Sequence, residues 1–309
     1  MSALVEQAND YLRLRRALGH KLNEAHRLLP SFVVYLDTIG AETVTVEAAL
    51  AWARRPDADP ASSVWMRRMT VARGFACHMA GVDPHTEIPP VGLVMFRQRW
   101  RPPFLYSETD ITVLMAHARR TIPTPLRAVT VETLIGLLAA TGMRVGEAIR
   151  LERADLDWAE GVIVVRNSKF GKSRLVPLQP SSVDALTAYA EKRDRLQPRP
   201  ESPTVFVSTV GTRLLYADIC HSFRRLIDVT GVGAGAPRPP RIHDIRHTFA
   251  VKTLLEWYRS GDDVEARLPR LATFLGHRDP KSTYWYLSAA PELLALAAGR
   301  LETAQGGRP

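Results

Sequence analysis

Two histidines, two arginines and a tyrosine follow one another in an order that suits chemistry on a phosphate ester. His243 and Arg246 precede His277 and Tyr286 near the C-terminus, and Arg144 follows a Thr-Gly pair earlier in the chain. Guanidinium groups stay charged near neutral pH, imidazoles move protons, and a phenol can attack as a nucleophile. Together these groups supply what phosphoryl transfer without a metal requires. The substrate that they indicate is a phosphodiester.

The composition agrees with a polyanionic partner. The 309-residue chain carries a formal charge of +9, and 41 of its residues are lysine or arginine. A basic surplus of this size suits nucleic acid. Only six of the basic residues are lysines, and a general bias towards arginine is the simplest explanation. A lysine at a position that needs a releasable proton is therefore informative.

Cysteine usage and hydropathy indicate the compartment. Cys77 and Cys220 are far apart and form no metal-binding or disulfide pattern. The N-terminal stretch 1–16 has the pattern of an amphipathic helix rather than of a signal peptide. No apolar run reaches the roughly 18 residues of a membrane span. We expect a cytoplasmic, nucleoid-associated protein without a membrane partner.

The elements that must position the reactive groups fall into two predicted domains. Residues 1–96 show helical spacing of apolar residues and predict a helical bundle. Residues 97–106 are basic and contain paired prolines, which favours an extended linker. Residues 107–302 form the second domain, and 303–309 form a flexible tail.

The second domain is predicted to be mixed α/β within a mainly α protein. Ser107 and Asp110 have the spacing of a capping box at the start of its first helix. Val162–Val165 and Arg174–Val176 predict two strands around a turn, and Thr204–Val207 predicts a third strand of a small antiparallel sheet. A helix over 291–301 is predicted to end the domain.

Four separated motifs resemble the catalytic domain of the tyrosine recombinase (phage integrase) family, in the order of that family. They are Thr141-Gly142-Met143-Arg144-Val145-Gly146-Glu147, the hairpin from Asn167 to Leu178, His243-Asp244-Ile245-Arg246-His247-Thr248-Phe249-Ala250, and Leu275-Gly276-His277 with Tyr286 nine residues later. The motifs cover roughly residues 107 to 290. The resemblance implies an integrase-like catalytic domain that follows a SAM-like, core-binding helical domain.

The resemblance assigns a role to each reactive side chain. Arg144 and Arg246 clamp the scissile phosphate, and Tyr286 attacks it to form a 3′-phosphotyrosyl link. The covalent link preserves the energy of the broken ester, so that strands are rejoined without ATP. The resemblance also implies that no metal or other cofactor takes part. Lys169 protonates the departing 5′-oxygen, which an arginine does poorly.

The remaining family positions assist these four groups. His243 assists proton transfer, His277 donates to the phosphate, and Glu147 orients the site one helical turn from Arg144. Lys172 competes with Lys169 in the same turn and is otherwise a DNA contact. Further candidate contacts to the DNA backbone are Arg67, Arg68, Arg73, Arg99 and Arg101.

The resemblance also predicts an assembly. Members of the family act as tetramers on two DNA duplexes, here as a homo-tetramer or with related recombinase subunits. Both domains are expected to clamp duplex DNA, and the helix over 291–301 is expected to dock onto a neighbouring protomer. Integration, excision, dimer resolution and transposition all stay open. One departure from the family pattern is the interval of 31 residues between Arg246 and His277, with Trp257–Arg267 as its extra length.

Three other functions compete with this interpretation. His243 and His247 have the spacing of a zinc hydrolase, although Asp244 replaces the usual glutamate and Arg246 brings positive charge beside the metal. A catalytically silent DNA-binding partner of a recombinase is a second alternative. A topoisomerase of the IB type, which uses the same chemistry, is the third.

Overall fold

The structure is a computed structural model, and its contacts divide the chain into two compact units, 1–100 and 101–309. It describes residues 3–59, 62–95, 102–166, 173–277, 283, 286 and 292–296. Within these ranges no helix is both long and apolar enough to cross a membrane.

The first unit is a helical bundle, as the spacing of its apolar residues predicts. Its helices are α1 (Ala3–Ala17), α2 (Asn23–Thr38), α3 (Val46–Ala53) and α4 (Val64–Met79). The rings of Phe32 in α2 and Trp52 in α3 pack at an angle of 39° with their centres 4.7 Å apart, and Phe75 of α4 is equally buried. The apolar stripe of the amphipathic N-terminal helix, from Leu4 to Leu12, faces the same core.

Arg68, a candidate DNA contact from the sequence, lies among the buried residues of α4 rather than on its exposed face. Its guanidinium donates two hydrogen bonds to Asp57, at 3.0 and 2.6 Å, and it packs over the ring of Trp52. Burial of this arginine is tolerated because the carboxylate pairs with its charge. Arg67 donates to Glu24 at 2.9 Å and is more exposed, while Arg73 donates to the carbonyl of Pro89.

The second unit surrounds a small sheet with helices, which confirms the predicted fold class. Its elements are α5 (Glu108–Thr121), α6 (Pro125–Thr141), α7 (Val145–Ala148), a 3-10 turn (Arg153–Asp155), β1 (Leu156–Asp157), β2 (Val162–Val165), β3 (Arg174–Pro177), α8 (Pro180–Leu196), α9 (Tyr216–Thr230), α10 (Asp244–Arg259) and α11 (Val264–Leu275). The strands pair antiparallel in the order β1-β2-β3, with Val165 opposite Arg174. Residues 292–296 are helical.

The start of α5 and the end of α6 follow the sequence closely. Ser107 Oγ accepts from the Asp110 amide and the Asp110 carboxylate accepts from the Ser107 amide, which completes the predicted capping box. Helix α6 is buried along most of its length and ends at Gly142, whose φ is +59°. A Cβ at this position would lie 2.5 Å from the ring of Phe249. Gly142 therefore allows α10 to approach the turn that carries Arg144.

The predicted third strand at Thr204–Val207 is wrong, because this segment forms only isolated bridges, at Thr204 and at Val207. Its apolar side chains are buried, and Arg193 of α8 donates to the carbonyls of Thr204 and Val205 at 2.9 and 3.0 Å. A side chain thus satisfies backbone groups that a neighbouring strand would otherwise satisfy. The third strand of the sheet is instead β1, which has only two residues.

The extra length between Arg246 and His277 comprises the end of α10, a short turn and the start of α11. Helix α10 continues to Arg259, and α11 begins at Val264 after Asp263 caps it. Arg267 lies over the ring of Trp257 at 5.7 Å, so the lengthened ends of the two helices contact each other.

Candidate active site

Arg144 stands at the junction of α6 and α7. The left-handed turn at Gly142 reverses the chain, and Arg144 becomes the residue that precedes α7. Its guanidinium donates to Glu147 Oε1 at 2.7 Å and to the carbonyl of Gly276 at 3.0 Å. A quarter of the side chain stays exposed, so the group is held in place yet accessible to a substrate.

Arg246 is held more tightly, in the first turn of α10. It is 2% exposed, and its guanidinium donates to the carbonyl of Gly142 at 2.8 Å and to that of Leu275 at 2.6 Å. Burial, and then the charge of Arg144, lower its pKa to about 10. The group therefore still carries its charge at neutral pH.

Glu147 joins Arg144 to Arg174, a residue to which the sequence assigned no role. Arg174 donates to both carboxylate oxygens of Glu147, at 3.2 and 2.7 Å, and to the carbonyl of Phe274 at 2.7 Å. Burial alone would raise the pKa of Glu147, but the hydrogen bond and charge of Arg174, together with Arg144, lower it to about 2. Glu147 is therefore ionised and paired with two arginines.

His243 precedes α10, and its neighbour Asp244 anchors the start of that helix. Asp244 is fully buried and accepts hydrogen bonds from Arg238 at 3.1 Å and from the amide of Arg241 at 2.9 Å. Burial, and then the charge of Arg246, lower the pKa of His243. The imidazole is thus biased towards its neutral form, which can accept a proton.

Tyr286 lies between two histidine rings. Its ring centre is 5.9 Å from that of His277, with the rings nearly parallel, and 5.5 Å from that of His247. Burial raises the pKa of Tyr286, while the charge of Arg246 and a hydrogen bond with it act in the opposite direction. The phenol therefore needs a proton acceptor if it is to attack.

His277 has a fixed ring orientation. Its Nδ1 is hydrogen-bonded to Oγ1 of the buried Thr283 at 2.7 Å, which leaves Nε2 for another partner. Burial, and then the charges of Arg246 and Arg144, lower its pKa to about 4. Neither Thr283 nor the packing of His247 against Tyr286 was foreseen, since both depend on contacts between elements.

The structure brings together the six predicted residues that it describes at this site, which are Arg144, Glu147, His243, Arg246, His277 and Tyr286. Arg174, His247 and Thr283 join them. The predicted Lys169, Lys172, Arg99 and Arg101 lie outside the described residues. Although His243 and His247 have ring centres 5.0 Å apart, the described part of the chain contains no group of three or more His, Cys, Asp or Glu side chains arranged to hold a metal.

Comparison with known proteins identifies the class. Residues 105–292 match the phage integrase family. The protein designated integrase/recombinase y4rB of Sinorhizobium fredii (strain NBRC 101917 / NGR234) is 41% identical over 309 residues, which are 98% of each chain. The tyrosine recombinase XerD of Listeria innocua serovar 6a is 25% identical over 298 residues, 93% of this chain and 94% of XerD.

A solved structure agrees with the fold. The Tn1549 transposon integrase, in complex with transposon right end DNA, matches with a TM-score of 0.67 at 17% identity, over 98% of this chain and 99% of that one. The chain belongs to the phage integrase family of tyrosine recombinases. It is a site-specific recombinase or integrase, an enzyme that breaks and rejoins DNA strands.

Proposed function

We propose that the chain cleaves DNA through a 3′-phosphotyrosyl intermediate on Tyr286. The observation that carries this proposal is that the buried Tyr286 ring packs against His247 and His277, close enough to Arg246 and Arg144 for their charges to act on the phenol. A nucleophile next to two permanent cations is suited to attack on an anionic phosphodiester. The other family positions supply the proton transfers.

The chemical step exchanges one phosphoester bond for another. The Tyr286 oxygen bonds to phosphorus while the bond to the 5′-oxygen breaks. The phenolic proton passes to His243, and the departing 5′-oxygen takes a proton from Lys169. Strand joining is the reverse reaction, in which a 5′-hydroxyl attacks the phosphotyrosine. Because the ester energy is retained, no ATP is consumed.

The arginines act on charge in the transition state. Arg144 and Arg246 donate to backbone carbonyls, and a phosphate would offer them stronger, charged acceptors. His277 donates through Nε2 to the same phosphate. The arginine pair takes the electrophilic role that a metal has in other phosphoryl-transfer enzymes.

The proposed partner is duplex DNA, bound by a homo-tetramer that holds two duplexes, in the cytoplasm at the nucleoid. The net charge of +9 and the DNA-bound Tn1549 integrase support this partner. Arg67, Arg99, Arg101 and Lys172 are the proposed backbone contacts, and Arg73 a weaker one. Arg68 is not among them, because its side chain is 10% exposed and paired with Asp57, whereas the paired side chain of Arg67 is 39% exposed.

A nicked substrate that loses its 5′-fragment after cleavage traps the covalent complex and tests the proposal. Native protein is expected to give an adduct that survives denaturing electrophoresis. Tyr286→Phe should bind DNA but give none, because it lacks only the nucleophilic oxygen, whereas the matched Tyr284→Phe should retain it. A persistent adduct in Tyr286→Phe would refute the assignment of the nucleophile.

A further inference from the structure

The C-terminal end of α11 accepts hydrogen bonds from three arginines in succession. Arg174 donates to the carbonyl of Phe274 at 2.7 Å, Arg246 to that of Leu275 at 2.6 Å, and Arg144 to that of Gly276 at 3.0 Å. The last carbonyls of a helix have no partners within it and carry partial negative charge. Here the guanidinium groups satisfy them, at the residues directly before His277.

Arg174 differs from the other two arginines in its surroundings. Its side chain is 7% exposed, and it is tied to Glu147 by two hydrogen bonds and to α11 by a third. It also covers Gly276, where a Cβ would lie 2.9 Å from its Nη1. Arg174 is thus less exposed than Arg144, a quarter of whose side chain is exposed, and it binds a carboxylate where Arg246 donates to two backbone carbonyls.

We propose that Arg174 is a positioning residue for strand cleavage, which fixes Arg144 and the end of α11 relative to each other. The inference rests on the proposed function of Arg144, His277 and Tyr286. The Glu147 carboxylate accepts a hydrogen bond from Arg144 through Oε1 and one from Arg174 through Oε2, each at 2.7 Å. Without Arg174, no arginine would bind both Glu147, the partner of Arg144, and the end of α11 that precedes His277 through the Phe274 carbonyl.

The planar guanidinium of arginine, with its several N–H donors, is needed for this role. One guanidinium contacts both oxygens of a carboxylate and a carbonyl from another element, whereas the ammonium of lysine is a point charge. The position on β3 is consistent with an inward side chain, because Arg174 and the buried Val176 share one face while Leu175 points outwards and is 63% exposed.

Arg193 offers a matched control in the same unit. It too is a buried arginine, and it donates to the carbonyls of Thr204 and Val205 and to Asp194. None of these partners belongs to the site. Arg193→Ala therefore removes comparable contacts and stability without touching the Glu147 pair.

The test measures single-turnover cleavage of the nicked substrate, DNA affinity and local hydrogen exchange in full-length protein, at a temperature where each variant is folded. Arg174→Ala is expected to cleave about 10²-fold more slowly, the cost of a misplacement of about 1 Å, with DNA affinity changed less than about threefold. Amides over 272–277 should exchange faster. Arg193→Ala should match native protein in all three measurements, and Arg174→Lys should lie between native protein and Arg174→Ala.

Equal cleavage by the two alanine variants, or unchanged exchange over 272–277 in Arg174→Ala, would overturn the inference. If Arg174→Ala does not fold, Arg174→Lys decides by the same two measurements. If native protein itself forms no adduct, the proposed function fails. The role of Arg174 in cleavage then fails with it, and the exchange data decide only whether Arg174 fixes residues 272–277.

Discussion

Burial and charge act differently on each ionisable residue of the site. Burial opposes the ionisation of Glu147, but two arginines outweigh it and bring the pKa to about 2. For His277 burial and the neighbouring cations act together, and the pKa falls to about 4. At neutral pH the cluster therefore contains charged arginines, a charged carboxylate and neutral imidazoles, and Tyr286 keeps its proton until a substrate binds.

The low pKa of Glu147 makes folding stability depend on pH. An unfolded glutamate has a pKa of about 4.3, so the ionised side chain contributes stability above that pH and loses it as the pH falls towards about 2. We expect the difference in unfolding free energy between native protein and Glu147→Gln to be constant from pH 6 to pH 7. Below about pH 4.3 the difference should shrink. Urea unfolding curves at each pH measure it, and a difference independent of pH would contradict the ion pairing.

Lys169 is expected to protonate the leaving group, as the family resemblance implies. Lys169→Ala should slow cleavage by about 10²- to 10⁴-fold, the usual contribution of a positioned proton donor. In a substrate with sulfur in place of the bridging 5′-oxygen, the departing 5′-thiolate needs no protonation. This substrate should therefore restore the cleavage rate of Lys169→Ala selectively. Lys172→Ala is the matched control and should cleave both substrates normally. If Arg144→Ala is rescued equally by the sulfur substrate, the role of Lys169 as proton donor is wrong.

At the scale of elements, the sequence predicts best where local signals suffice. The capping box of α5 and the strands β2 and β3 were predicted because turn residues and alternation mark them. The two residues of β1 give no periodic signal, and the buried run Thr204–Val207 resembles a strand in hydropathy alone. Arg174 was overlooked because its partners lie 27 and 100 residues away. The motif residues themselves were found from type and order, through the family resemblance.

The contact between Arg174 and the end of α11 can be tested by adding one methyl group at Gly276. Gly276 has a φ of +67°, and a Cβ there would press on Arg174. Gly276→Ala is expected to destabilise the protein by more than the roughly 1 kcal/mol that a left-handed alanine costs, and to slow cleavage. Gly231→Ala, at the equivalent position after α9, has a φ of +69° and no atom within 4 Å of its Cβ. Gly231→Ala should lose only the stability that a left-handed alanine costs. If Gly276→Ala and Gly231→Ala change the melting temperature and the cleavage rate equally, the contact between residue 276 and Arg174 does not matter.

At the level of the whole molecule, a basic surplus is combined with one hydrophobic core in the first unit and two in the second, the smaller of which joins α10 and α11 and includes Tyr286. The first unit is built around α2, α3 and α4, and the second around α6 and the small sheet. All of the described catalytic candidates lie in the second unit. The first unit is therefore expected to contribute DNA affinity rather than chemistry, and the linker arginines Arg99 and Arg101 are expected to share that role.

The central claim is that Tyr286 becomes covalently bonded to DNA without the aid of a metal. The most direct measurement is to trap native protein on a nicked duplex in excess chelator, digest the complex, and identify the nucleotide-bearing peptide by mass spectrometry. We expect a 3′-phosphate to be attached to Tyr286, with a yield that does not change on chelation. Attachment at another residue, or cleavage that stops in chelator and returns with zinc, would contradict it.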